Sequence, residues 1–484
     1  MIIKNRVDLL SRGDAGGRAV VLAILEAGLQ AIEPYARTRR LIRREGNTLR
    51  IGGCPDADLS GFGDEAIDLD RIDNVYVIGA GKTVQRQAQA LEDLLGDRLT
   101  AGALTIKRGE EVTLKRIEVT EGAHPVPDEQ SLLGTRRILA IVDRAGERDL
   151  IFTLFSSGAS SLCALPSDAY SLDDVRTVYR LAIKYGDMSI IWRVMRYFSL
   201  VNSGRILLRA PAARTVNLLM SFKPYLPWAG RVPETASWIT PWPPGPRRLP
   251  EAAREFRAAR WWDELPARLR RAFERLDSDC EVPDLDEFRK LRCSFWQPID
   301  YRLLLDAAAR EAETLGVRAA VLGNWWAVQS TDAAEMMVGL ARECAERGAP
   351  FAPPVALISG GELTVPVGEA TGVGGRNQEF TLAAAQRIAE QPGAGMVVGS
   401  IDSDGTDGPG VQLTAGAEPA HCLAGGLADE TTWAAAAAAK VDLKAELERH
   451  NSTPVLRALG GGIYTGNTGI CAGDLRVVLV QRKS

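Results

Sequence analysis

The chain has 484 residues, of which 46% are hydrophobic and 25% charged, with a formal net charge of −4. That length predicts two domains, and the composition is ordinary for a globular protein. The slightly acidic balance argues against a nucleic-acid binder, and no apolar run reaches membrane-spanning length, so neither partner is expected.

The start, MIIKNRVDLLSRGDAG, lacks the apolar stretch and small-residue cleavage site of a secretory leader. Seven scattered cysteines with no C-x-x-C pair predict reduced thiols, a cytoplasmic location and no zinc site. No G-x-S-x-G elbow supports a serine triad.

In chain order, residues 16–36 carry apolar positions at helical spacing. NVYVIGAGK at 74–82 reads as a strand closed by glycines, and the helix after it places Val84, Ala88, Leu91 and Leu95 on one face. ALTIKRG and RIEVTEGAHPVPDEQ precede a helical SLLGTRRILAIVDRAG, and DLIFTLFSSGASSL runs as a strand into a small-residue turn. Strands alternating with amphipathic helices predict an α/β fold with a mainly parallel sheet covered on both faces. From 224 to 298 the chain turns rich in Pro, Trp and Arg, which predicts an irregular insertion followed by helix. Its tryptophans fit packing of a short subdomain better than a ligand cleft. Residues 301–348 read as helix, strand and helix, and a second α/β block runs from PPVALISGGELTVPV to the terminal strand DLRVVLVQ. The expected division is 1–298 and 299–484.

Chemistry concentrates at four places. Ahead of the helix that starts at Arg376, residues 359–375 hold six glycines, ending in Gly374 and Gly375. Glycines admit close backbone approach, and a helix start offers unpaired N–H groups, so this stretch predicts an anion pocket for phosphate or carboxylate. Asn377 and Glu379 in the first turn would orient Arg376, polarise a hydroxyl, assist a metal or simply cap the helix. Lys82 follows Gly79-Ala80-Gly81 at a strand-to-helix turn. Ser157, Gly158 and Ser160 offer hydroxyl and N–H groups at the ligand edge of the sheet, and His124 lies in a Pro-rich loop. Asp402, Asp404 and Asp407 in DSDGTDGPG predict carboxylates that converge on Mg²⁺, with one of them as proton acceptor, or else an Asp-rich turn.

VIGAGKTVQRQAQALE, GAHPVPDEQSLLGTRRIL, LISGGELTVPV…GGRNQEFTLAAA, DSDGTDGP…AGA and HNSTPVLRALGGGIYTGNTGICAGDLRVVLV occur in this order. Together they resemble the glycerate 2-kinases that carry a MOFRL-type C-terminal domain, some of which are labelled hydroxypyruvate reductases. The resemblance implies a Rossmann-like N-terminal domain, a smaller α/β C-terminal domain and a cleft between them where ATP, Mg²⁺ and a small hydroxy acid or sugar acid meet. It makes Lys82 the lysine of the family's GAGKA pattern and Arg376 the arginine of its GGRNQE motif. It implies catalytic roles for Lys82, Arg376 and Asp407. Gly79, Gly81, Ser157, Gly158, Ser160, Gly374, Gly375, Asn377 and Glu379 would bind the nucleotide, and Asp402 and Asp404 the metal. A homodimer stays open.

The chain departs from the family at charged and loop positions. S-D-V-x-G-D is replaced by Ser221-Phe222-Lys223-Pro224, and S-G-G-G-S-A by Ser156-Ser157-Gly158-Ala159-Ser160-Ser161, where bulk at Ser157 and Ala159 would hinder approach to phosphate. V-R-K-H-L-S becomes Val194-Met195-Arg196-Tyr197-Phe198-Ser199. Val373 stands for a lysine, and Thr468-Gly469-Ile470-Cys471 replaces T-G-T-N. A homologue that binds without phosphorylating is therefore the alternative. A nicotinamide-dependent reductase is a third reading, disfavoured because Val84 fills the third glycine position of a dinucleotide fingerprint.

Overall fold

Apolar side chains on both faces mark Asn74–Ala80, and the computed structural model makes this run the centre of a parallel sheet. The structure describes residues 1–54, 57–58, 63–220, 241–242, 247–408 and 422–482. The chain divides into two units, residues 34–299 and residues 1–33 joined with 300–484.

In residues 34–299 the strands are β1 (Ile42–Glu45), β2 (Thr48–Ile51), β3 (Glu65–Asp68), β4 (Asn74–Ala80), β5 (Leu99–Lys107), β6 (Glu118–Gly122), β7 (Asp149–Phe155), β8 (Arg214–Met220) and β9 (Cys293–Ile299). The first three form an antiparallel ribbon. The other six form an all-parallel sheet in the order β6-β5-β4-β7-β8-β9. The chain starts at the centre, winds to one edge, then returns beside β4 and winds to the other. That doubly wound order puts the topological switch point between β4 and β7, where ligands of such sheets bind beyond the carboxyl ends.

Alternate residues of β4 explain its unbroken apolar run. Tyr76, Ile78 and Ala80 join one buried cluster with Ile138, Leu139 and Val142 of the helix Glu129–Val142. Val75 and Val77 face the other way, into Val84, Ala88, Leu91 and Leu95 of the helix Val84–Leu95. Each fully buried aliphatic side chain contributes about 1.5–3 kcal/mol, so these two layers dominate the stability of the unit. In the insertion, residues 247–298 build short helices around Phe256, Trp261 and Phe273, which pack on Tyr197 and Phe198. Trp261 thus serves packing, whereas Trp228 and Trp238 lie outside the described residues.

The other unit holds β10 (Arg318–Gln329), β11 (Val355–Thr364), β12 (Met396–Asp402), β13 (Gly425–Asp429), β14 (Gly462–Ile463) and β15 (Asp474–Val480). They form a mixed sheet in the order β10-β11-β15-β12-β13-β14, with only β10 and β11 parallel. Helices Ser330–Arg347 and Arg376–Glu390 cover one face through Met337, Val338, Phe380 and Ala384. The helix Ala15–Ala31 packs with Tyr301–Thr314 and against β12 and β15. Its Gly28 comes so near Leu475 that an added Cβ would lie 2.7 Å from Cδ2.

The expected domain 1–298 therefore differs from the observed unit at its beginning. Residues 1–33 belong with 300–484, and a buried ion pair of 2.6 Å between Arg18 and Asp429 ties them there. Helical periodicity shows that a segment has an apolar face but not which sheet the face covers. Among the described residues no single helix is long and apolar enough to cross a membrane.

Candidate functional site

Two groups of residues stand out, one in each unit. In the parallel sheet, the turns after β4 and β7 are laced together. Ser156 N–H donates to Ala80 O at 3.2 Å, and Lys82 N–H donates to Ser157 O at 3.0 Å. Thr83 N–H donates to Ser156 Oγ at 3.3 Å. Gly81, at φ 146°, has no room for a side chain, because a Cβ there would sit 2.0 Å from Ser156 Oγ.

Gly158 adopts a left-handed φ of 85°, and the space a Cβ would fill is flanked by Lys82 Cγ at 3.0 Å and His124 Cδ2 at 3.1 Å. Three loops, after β4, β6 and β7, thus bring Lys82, His124 and Gly158 to one point. Ser161 Oγ donates to Ala123 O at 2.9 Å and fixes the His124 loop. Ser160 bonds the buried Tyr179 hydroxyl, whose pKa burial pushes up. Bulk at Ala159 does not obstruct the turn, since its methyl is buried in the core cluster. Met195, which stands where the family pattern has an arginine, is likewise a core residue, as are Tyr197 and Phe198. Ser221–Pro224 lie outside the described residues.

In the other unit, every side chain of Arg376-Asn377-Gln378-Glu379 is engaged. Asn377 N–H and Gln378 N–H donate to the two oxygens of Asp407 at 3.1 and 2.9 Å. The carboxylate from a distant turn thereby satisfies donors that a helix start leaves over. At the anion pocket expected here, for phosphate or carboxylate, the Asp407 carboxylate takes these two N–H groups. Gly375 must be glycine because a Cβ would lie 2.4 Å from Asp407 Cγ. Gly372 and Gly374 press on the backbone of Arg449–Ser452 in the same way, and Val373 N–H donates to Asn451 Oδ1 at 3.1 Å. Glu379 meets His450 Nδ1 at 2.8 Å, and burial raises its pKa despite that partner. Gln378 Oε1 accepts from Thr453 at 2.6 Å.

Asp402 and Asp474 face each other across β12 and β15. Arg376 bridges them, with Nη2 at 2.7 Å from Asp402 Oδ2 and 2.8 Å from Asp474 Oδ1, and Nε at 2.9 Å from Asp474 Oδ2. Its Nη1 lies 3.5 Å from Glu362. Burial acts to lower the Arg376 pKa, but Asp474, Asp402 and Glu362 outweigh it and raise the value. Behind Asp474, wholly buried Arg476 bonds its carboxylate at 3.2 Å, Ser359 Oγ at 3.1 Å and the Gly360 carbonyl. Burial lowers the Arg476 pKa to about 10.

The expected convergence of Asp402, Asp404 and Asp407 on one cation does not occur: among the described residues no three acidic, His or Cys side chains form a metal-holding group. Their oxygens turn elsewhere. Asp402 Oδ1 accepts from Asp404 N–H at 3.0 Å, Asp404 Oδ1 accepts from Thr406 N–H at 2.7 Å, and Asp407 serves the helix. Asp407 has no exposed surface, and burial lifts its pKa to about 6 against the pull of Arg376 and the helix N–H groups.

Sequence reasoning missed Asp474, Arg476 and Glu362. A signal was present: DLRVVLV places two opposite charges at period two in a strand otherwise apolar on both faces. Charges are rarely fully buried unless paired.

A doubly wound parallel sheet with a lysine-bearing turn at its switch point, and a second unit built on a mixed sheet, define a two-unit α/β protein. Residues 20–222 match a domain of unknown function, DUF4147, and residues 355–472 match the MOFRL family. A glycerate 2-kinase of Pyrococcus horikoshii is 29% identical over 96% of this chain and 98% of its own. An Agrobacterium vitis protein, named provisionally as a hydroxypyruvate reductase, is 32% identical over 84% of this chain and 86% of its own. The crystal structure of a Thermotoga maritima glycerate kinase superposes with a TM-score of 0.72 at 25% identity, covering 99% of this chain and all of that one. The chain belongs to the glycerate 2-kinase family with DUF4147 and MOFRL parts.

Proposed function

We propose that the protein is a kinase that transfers a phosphoryl group from ATP to a hydroxyl of glycerate or a closely related small hydroxy acid. The observation that carries this reading is the meeting of Lys82, His124 and Gly158 at the switch point of a parallel sheet, in a chain that aligns almost end to end with glycerate kinases. Phosphoryl transfer spreads negative charge over oxygens, so positioned cations and backbone donors supply most of the catalysis. Lys82 is the cation at the sheet edge, and glycine at position 158 keeps a side chain from crowding it. Gly79 and Gly81 keep the neighbouring turn free of side chains, and Ser157 and Ser160 line it. Arg376 offers Nη1 to a second charged group.

Asp407 supports the site by closing the turn, because both its oxygens are engaged and it has no exposed surface. Glu379, Gly374 and Gly375 likewise fix the turn that carries Arg376. Around Arg376 and Arg476 stand Asp402, Asp474 and Glu362, an excess of acid. That excess fits Mg²⁺ arriving with nucleotide phosphates, which needs one or two carboxylates and not a protein cage. Asp402 and Asp404 would hold the ion, and the ion would neutralise charge on the phosphate oxygens. Seven scattered cysteines with no C-x-x-C pair fit a cytoplasmic setting.

The test is ADP release by purified protein given ATP, Mg²⁺ and D-glycerate. Glycerate-dependent ADP is expected. No ADP with glycerate or any of a panel of hydroxy acids and sugar acids would overturn the reading, and NADH oxidation by hydroxypyruvate would replace it with the reductase.

A further inference from the structure

We infer that Asp474, itself anchored by Arg476, is the residue that positions Arg376, so that the guanidinium presents only Nη1 to a ligand. The inference rests on the reading of the chain as a glycerate kinase in which Arg376 binds a charged group. Its geometric basis is independent of that reading. The Nε–Nη2 edge of Arg376 lies side-on to Asp474, with Nε at 3.0 and 2.9 Å from its two oxygens and Nη2 at 2.8 Å from Oδ1. Two contacts on one edge of the planar guanidinium stop it turning about the Cδ–Nε bond, which a single contact would permit.

Asp474 cannot yield in turn. Its Oδ1 also accepts from Asn377 Nδ2 at 3.0 Å, and its Oδ2 accepts from Arg476 Nη1 at 3.2 Å and Leu363 N–H at 3.4 Å. Asp474 and Arg476 have no exposed surface, whereas the Arg376 side chain retains 21% of its own and Glu362 37%. Dry, fixed partners therefore stand behind the guanidinium and the accessible part lies on the Glu362 side. The alternating pattern Asp474-Leu475-Arg476 sends both charges to one face of β15 and Leu475 to the other, where the helix Ala15–Ala31 packs. Arg476 is thus not a second ligand-binding arginine. Its role is to hold Asp474.

The test compares wild type with Asp474→Asn, Arg376→Lys and the double variant, reading kcat and KM for glycerate and ATP beside melting curves. Misplacing a binding group by about 1 Å costs on the order of 100-fold, so Asp474→Asn alone is expected to lower kcat/KM by about that factor. In the Arg376→Lys background, where the fork is already gone, the same substitution is expected to cost less than about 3-fold. Equal losses in both backgrounds, or an Asp474→Asn enzyme within about 3-fold of wild type, would overturn the inference. Because Asp474→Asn strands a buried charge on Arg476, Asp474→Asn with Arg476→Met supplies a neutral core. That pair is expected to recover the melting temperature but not the activity, and recovery of both would count against positioning. If wild type shows no kinase activity, the functional reading fails on its own. The positioning claim is then decided by NMR of the Arg376 Nε–H, assigned by its loss in Arg376→Lys. A signal protected from solvent exchange in wild type and unprotected in Asp474→Asn is expected, and equal protection in both would refute it.

Discussion

Asp402 and Asp474 stand directly opposite each other on neighbouring antiparallel strands, both buried, and a single guanidinium answers them both. Like charges in that arrangement repel, and here the repulsion acts with little water to screen it. Arg376 is therefore as much a fastening for β12 and β15 as a ligand group.

Replacing Arg376 with Met should cost the fold about 3–5 kcal/mol, the usual penalty for leaving buried charge unpaired. Urea unfolding measures this directly. Adding Asp402→Asn to Arg376→Met should restore part of the loss while activity stays absent.

Asp407 links stability to pH with an unusual sign for an aspartate. Its folded pKa, about 6, lies above the reference value of 3.8, so the native state holds the proton more tightly. The stabilisation is complete below the unfolded value and disappears as pH rises through 6. The roughly two-unit difference corresponds to about 3 kcal/mol. Urea midpoints taken from pH 4 to 7 should show this decline in wild type, and Asp407→Asn should remove that part of the slope.

Gly158→Ala places a methyl 3.0 Å from Lys82 Cγ and 3.1 Å from His124 Cδ2, at a backbone angle that favours glycine. Stability should fall by about 1 kcal/mol, while kcat/KM falls by about 100-fold because the space beside Lys82 is filled. Lys82→Met should lose activity with its melting curve unchanged, which separates ligand contact from backbone strain.

The two units predict an asymmetry between fragments. Residues 34–299 contain a complete sheet with both faces covered and should melt cooperatively when expressed alone. Residues 300–484 alone lack the helix Ala15–Ala31 and should aggregate. Fusing residues 1–33 through a flexible linker to residue 300 should rescue solubility, read by size-exclusion chromatography.

The parallel sheet was legible because β4 and β7 are apolar on both faces and alternate with amphipathic helices, a pattern few other folds need. Val84, Ala88, Leu91 and Leu95 follow the expected helical face. The small-residue turn that holds Gly158 was also legible, though His124 as its neighbour depended on a loop crossing from β6. The part Asp407 plays was not legible, because an Asp-rich turn looks the same whether its oxygens face a cation or nearby N–H groups. Only coordinates show that Asp407 reaches across to Asn377 and Gln378. Arg376 was visible by its motif, but its partner Asp474 lies 98 residues away, a separation across which local pattern carries no information.

The division at residues 33/34 and 299/300 sets the order in which the protein can fold during its own synthesis. The helix Ala15–Ala31 is made before residues 34–299, yet β12 and β15, the strands it covers, are made after them. Roughly 270 residues separate the helix from its unit's next segment, and at about 5–20 residues per second the ribosome needs tens of seconds to cross them. Throughout that interval Val21, Leu22, Leu25 and Leu29 have no native surface to cover, while residues 34–299 are free to complete their own sheet. A nascent chain stalled before β15 should accordingly hold a finished parallel sheet and a sticky leading helix, the state in which it is most dependent on chaperones.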